Sequence, residues 1–109
     1  MSDIYVAIRT HDDRAMTSVE GIPVIALTRR QDGLIYDEQP VSIRFADAHF
    51  YNLPLDTYTV IARHPLLNPT EAMQDVELKA GELVRVRFVY LEPERQMLRI
   101  EVASYSMDD

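Results

Sequence analysis

The chain has 109 residues, 47% of them hydrophobic, with 18 acidic against 11 basic side chains and a net charge of −7. That length fits a single domain over residues 1–109, and that apolar fraction argues against intrinsic disorder. The absence of cysteine excludes disulfides, thiolate metal sites and cysteine nucleophiles, the acidic balance disfavours nucleic acid and anionic membrane surfaces, and no apolar run approaches the ~18 residues that span a bilayer.

In chain order the periodicity is mostly two. Met1-Ser2-Asp3-Ile4-Tyr5 has neither the basic nor the apolar region of a secretory signal, which sets the expectation of a cytoplasmic protein. Ile4, Val6 and Ile8 alternate with Tyr5, Ala7 and Arg9, as in a half-buried strand. Residues 10–21 are too polar to bury and carry His11-Asp12-Asp13. Residues 22–28 form an apolar run short enough for one strand inside a sandwich, and Gln31-Asp32-Gly33 reads as a turn. Val41, Ile43 and Phe45 alternate with Ser42 and Arg44, which predicts a third strand.

Asn52-Leu53-Pro54-Leu55-Asp56 is turn-like, because Pro54 cannot donate to a ladder. Residues 57–63 are rich in β-branched and aromatic types, with Tyr58, Val60 and Ala62 on one face. His64-Pro65 and Asn68-Pro69 punctuate a loop, and residues 68–74 are a short helical candidate capped by Asn68. Val76 and Leu78 mark a weaker strand within 73–79, and Ala80-Gly81-Glu82 turns the chain. Val84, Val86, Phe88 and Tyr90 give the clearest alternation. After the turn Glu92-Pro93-Glu94, Leu98, Ile100 and Val102 alternate with Arg99 and Glu101. Seven short strands with proline-bearing connections predict an all-β, Greek-key β-sandwich with a core over about residues 4–102 and a short acidic C-terminal tail.

The stretch Asn52-Leu53-Pro54-Leu55-Asp56-Thr57-Tyr58-Thr59-Val60-Ile61-Ala62, continued by Ala80-Gly81-Glu82 and Val84-Arg85-Val86-Arg87-Phe88, resembles transthyretin-like and carboxypeptidase-regulatory-like domains. Gly21-Ile22-Pro23-Val24 resembles the opening of their second strand, and the similarity covers about residues 4–102. It implies a prealbumin-like, immunoglobulin-like sandwich. Asp56 stands where that pattern has glycine, so the turn must accept a side chain. The hydroxyisourate hydrolases of this broad group end in Tyr-Arg-Gly-Ser, whereas this chain ends Ser104-Tyr105-Ser106-Met107-Asp108-Asp109. The resemblance therefore implies a binding or accessory module rather than that hydrolase.

Candidate chemistry is sparse. His11, Asp12 and Asp13 offer imidazole and carboxylate ligands to a divalent ion, although adjacent residues rarely converge on one ion and a solvated loop is the plainer reading. His49 and His64 are possible general bases, and a hydrolase site around His11 and His49 is one alternative. Phe50, Tyr51 and the 64–68 loop offer stacking surface for a small ligand or carbohydrate, while Tyr58 fits a buried tyrosine corner with its hydroxyl on the backbone.

Ten of the eleven basic residues are arginines. Arg85, Arg87 and Arg99 fall on the outer faces of the last two strands, where they either pair with Glu77 and Glu101 or grip an acidic partner. The expectation is a non-enzymatic protein-interaction module without cofactor, using a sheet face or edge, with a protein partner or a second copy of itself and neither nucleic acid nor membrane.

Overall fold

The computed structural model describes residues 2–31 and 35–107. Asp32 and Gly33 of the expected turn, and Asp108 and Asp109 of the acidic tail, lie outside them.

Period-two alternation builds the protein as read. The strands are β1 (Asp3–Thr10), β2 (Ser18–Val19), β3 (Ile22–Pro23), β4 (Ile25–Arg30), β5 (Ile35–Pro40), β6 (Asp47–Phe50), β7 (Thr57–Arg63), β8 (Glu71–Glu77), β9 (Glu82–Leu91) and β10 (Gln96–Ser106). Among the described residues no helix forms, so none is long and apolar enough to cross a membrane. Two four-stranded sheets carry the fold, in the orders β10-β9-β1-β6 and β5-β4-β7-β8, and β2-β3 is a separate two-stranded ribbon. Among the described residues every strand–strand pairing is antiparallel except β1 with β9, which run parallel through Asp3↔Leu83 to Thr10↔Tyr90; a single isolated bridge, Asn68↔Gln96, is also parallel.

The sheets pack as a β-sandwich. Ile4, Val6 and Ile8 of β1, Phe50 of β6 and Val84, Val86, Phe88 and Tyr90 of β9 meet Ala26, Tyr58, Val60, Ala62, Ala72 and Val76 from the second sheet, all buried. Tyr58 is buried completely and its hydroxyl donates to the Pro54 carbonyl at 2.6 Å, four residues upstream. This is the tyrosine-corner arrangement, and it pins the entry of β7 to the preceding turn.

Several expectations are corrected. Among the described residues eight sheet strands and a two-stranded ribbon stand where seven strands were expected. Residues 41–45 are not a strand: the Ser42 N–H and the Ala46 N–H close a turn with the Asp47 and Ser42 carbonyls (2.8 and 2.9 Å), and Ala46 has φ 53. Ile43 is consequently 90% exposed. The 22–28 run divides at the buried Val24, whose N–H bonds Thr17 and whose carbonyl accepts from Val41. The polar 10–21 stretch still buries Met16 and Val19, because Glu20 and Gly21, both at positive φ, reverse the chain into the β2-β3 ribbon. The 68–74 helix is absent: pairing of Glu71–Glu77 with β7 outweighs a one-turn helical propensity.

Candidate functional site

On the first sheet the inward positions make the core, so their neighbours build the outer face. The register aligns His49, Tyr5, Arg85 and Ala103 in one cross-strand row, and Asp47, Ala7, Arg87 and Glu101 in the next. One end of this face is a connected polar and aromatic network. Asn52, at φ 53, folds the chain back so that its N–H donates to Asp3 Oδ1 at 2.9 Å. The other oxygen, Oδ2, lies 2.9 Å from His49 Nε2. A carboxylate oxygen accepts, so Nε2 carries the proton. The His49 ring then stacks on Tyr51 (centroids 3.9 Å apart, planes at 9°), with Tyr5 edge-on at 5.6 Å.

The Tyr5 hydroxyl donates to Asp47 Oδ2, and Ser42 Oγ donates to Asp47 Oδ1 at 2.6 Å. Burial, joined by the bond to Asp47, pushes the Tyr5 phenol up to about 12. Burial also acts to raise Asp47, but the bonds from Ser42 and Tyr5 and the charge of Arg9 outweigh it and hold that carboxyl below its usual range. Tyr5 and His49 thus each combine a hydrogen bond to a carboxylate with an aromatic contact.

The arginines are unequal. Arg87 reaches Glu101 at 3.1 Å and Asp13 at 3.3 Å, and Arg99 reaches Glu101 at 2.6 Å. The Arg99 hydrogen bond, with the charges of Arg87 and Arg85, holds the Glu101 carboxyl below its usual range. Glu77 is not opposite them: it lies on β8 of the second sheet, 3.9 Å from Lys79. Arg85 differs from the other two. Among the described residues it forms no ion pair, and its guanidinium lies 5.5 Å from the Tyr105 ring centroid.

Tyr51, Arg85, Arg87 and Arg99 thus share this sheet face, with Tyr51 66% exposed. Phe50 does not: it alternates inward and is fully buried, which removes it as a binding residue. His64 lies away from this face, just past the end of β7, and is held there by the backbone. It is 1% exposed, its Nε2 donates to the Ile22 carbonyl at 2.8 Å and its Nδ1 accepts from the Leu66 N–H at 3.0 Å, so both ring nitrogens are used.

His11, Asp12 and Asp13 do not converge either. Asp12 is bound by Thr10 and Arg14, which bring its carboxyl down to about 2, while Asp13 turns to Arg87 and His11 Nδ1 faces the Glu92 N–H at 3.4 Å. Among the described residues no group of three His, Asp or Glu side chains is placed to hold a metal ion. His11 follows the end of β1, six residues beyond Tyr5, the partner of His49. At ~3.3 Å per residue their backbone positions are roughly 20 Å apart, too far for the two side chains to act as one pair.

Asp3, Tyr5, Asp47 and Tyr105 were not singled out from the sequence. The available signal was their outward parity on strands whose inward parity is apolar. A groove of about 590 Å³ lies elsewhere, against the second sheet, lined by Ile22, Pro23, Ile25, Arg63, Pro65, Pro69, Thr70 and Glu71 together with His64, so His64 borders a ligand-sized cleft although both its ring nitrogens are bonded to the backbone. Comparison with protein-family models, curated proteins and solved structures finds no match to this chain.

Proposed function

We propose that this chain is a non-enzymatic protein-interaction module, a prealbumin-like sandwich that works in the cytoplasm and docks a protein partner on the outer face of its first sheet. The observation that carries the reading is Arg85, which lacks an ion-pair partner among the described residues and stands in line with Tyr5 and His49 and beside Tyr105. Arginine and tyrosine are, with tryptophan, the side chains enriched among residues that dominate binding energy. A guanidinium with an open fork suits a carboxylate on the partner. Asp3 and the stacked rings pre-order His49 and Tyr51, which reduces the entropy lost on docking. The prealbumin-like assignment is supported by the Tyr58–Pro54 corner at the motif that carries the resemblance.

Affinity capture from a native lysate, at low and moderate salt, tests this. A stoichiometric partner that weakens with salt and is lost on Arg85→Glu supports it. Equal capture by wild type and Arg85→Glu overturns it. The groove favours a second reading, a small-ligand site, since its volume and apolar lining match ligand-sized clefts. In that case Ile25→Arg abolishes binding of the ligand and Tyr51→Ala leaves it intact.

A further inference from the structure

Each sheet has two edges, and three of the four are managed against self-pairing. β6 is only four residues long, and the Gln39 side chain caps its His49 carbonyl at 3.1 Å. β5 carries Asp37 and Glu38 and ends in Pro40, and β8 carries Glu71, Asp75 and Glu77 with no cation. Two acidic copies meeting at β5 or β8 would set like charges opposite one another.

β10 is different. It is the longest strand, with eleven residues, and its charges, Arg99 and Glu101, cancel. Its start is covered, because the Asn68 N–H bonds the Arg95 carbonyl and the Met97 N–H bonds the Asn68 carbonyl, each at 2.9 Å. From Arg99 to Tyr105, beyond the bulge, no such backbone cover is present among the described residues. The Met107 N–H bonds the Gly81 carbonyl on the β9 side, so by strand alternation the amides of Ile100, Val102 and Ser104 point to the open edge. Val102 sits at the middle of this open stretch and is 47% exposed, though its Cα partner Val86 is fully buried.

We propose that the open edge of β10 pairs antiparallel with β10 of a second copy of this chain, about a two-fold axis at Val102. In that register Val102 meets its own copy, Ile100 meets Ser104, and Arg99 lies opposite Tyr105 in both directions, a cation–π pair on the outer face. The two first sheets then form one continuous eight-stranded sheet, and the exposed Val102 side chains cover each other. The interface is built on the strand edge at Val102 and partner docking on Arg85; the two surfaces meet only at Tyr105, so Val102→Lys and Arg85→Glu separate them.

The chain has no native cysteine, which makes the axis testable by thiol cross-linking. Sedimentation equilibrium of the wild type is expected to show a concentration-dependent monomer–dimer equilibrium that Arg85→Glu leaves in place. Val102→Lys, placing two cations on the axis, is expected to weaken it about ten-fold or more with unchanged circular dichroism. Val102→Cys should cross-link through a short bismaleimide as a dimer. Ser106→Cys should not, since eight strand positions set it roughly 26 Å from its copy. A wild type that stays monomeric, a dimer indifferent to Val102→Lys, or equal cross-linking at 102 and 106 would overturn the proposal.

Discussion

Two buried tyrosines differ in one respect, and removing a single oxygen from each should move stability in opposite directions. Tyr58 and Tyr90 are both fully buried. The Tyr58 hydroxyl donates to the Pro54 carbonyl at 2.6 Å, whereas the Tyr90 hydroxyl has no hydrogen-bond partner among the described residues. Burial pushes the Tyr90 phenol up to about 12, so it stays protonated, with a donor that nothing accepts. Tyr58→Phe keeps the ring and deletes a net hydrogen bond, which costs about 0.5–1.5 kcal/mol. Tyr90→Phe removes an unpaired buried hydroxyl whose burial costs about 1–3 kcal/mol, so the variant gains stability of up to that order. For a domain of this size 1 kcal/mol corresponds to roughly 4 °C in Tm. Thermal and urea unfolding followed by circular dichroism, with an unchanged m-value, therefore separate the variants on either side of wild type. A Tyr58→Phe protein as stable as wild type would refute the tyrosine corner as a structural clamp. A Tyr90→Phe protein destabilised as much as Tyr58→Phe would refute the orphaned hydroxyl.

The remaining predictions concern the outer face and its supports. Phe50→Ala should cost about 3–5 kcal/mol in urea unfolding, whereas its exposed neighbour Tyr51→Ala should stay within about 0.5 kcal/mol while weakening partner capture. His64→Leu leaves the Ile22 carbonyl and the Leu66 N–H without partners, so it should destabilise by at least about 1–3 kcal/mol; a neutral outcome would contradict the structural role of that ring. Asp47 titrates below its usual range in the folded protein, so on acidification the unfolded chain takes up that proton first. Its contribution is complete above the ordinary carboxylate pKa of about 3.9 and is lost as pH falls through the folded value. Asp47→Asn should flatten this acid-side slope in urea midpoints measured between neutral pH and pH ~3, and equal slopes would contradict the assignment.

The sequence was most legible where inward alternation is long and unbroken. Ile4, Val6 and Ile8, then Tyr58, Val60 and Ala62, then Val84 through Tyr90, announced β1, β7 and β9 because burial on one sheet face enforces period two. The same signal misled at Val41, Ile43 and Phe45, where a single serine redirects the chain: Ser42 Oγ bonds the Asp47 carboxylate and accepts from the Phe45 N–H at 3.2 Å, offering the backbone a turn in place of a ladder. β5 escaped notice because Asp37, Glu38 and Gln39 give an edge strand no apolar signature. The outer-face network was invisible for another reason. Asp3 and His49 are 46 positions apart, and only the Ile4↔Phe50 register brings them together. Arginine parity was readable, but which arginine stays unpaired was not: Arg87 and Arg99 converge on the same Glu101, with Asp13 arriving from a loop as a second partner of Arg87, and Arg85 is left without an ion pair among the described residues.

Docking on the first sheet's outer face is tested most directly by amide and side-chain NMR shifts of the chain titrated with its captured partner. The expected perturbations cluster at Tyr5, His49, Tyr51, Arg85 and Tyr105 and disappear in Arg85→Glu. Perturbations confined to Ile22, Ile25, Arg63 and Glu71 would contradict the docking face and place binding in the groove.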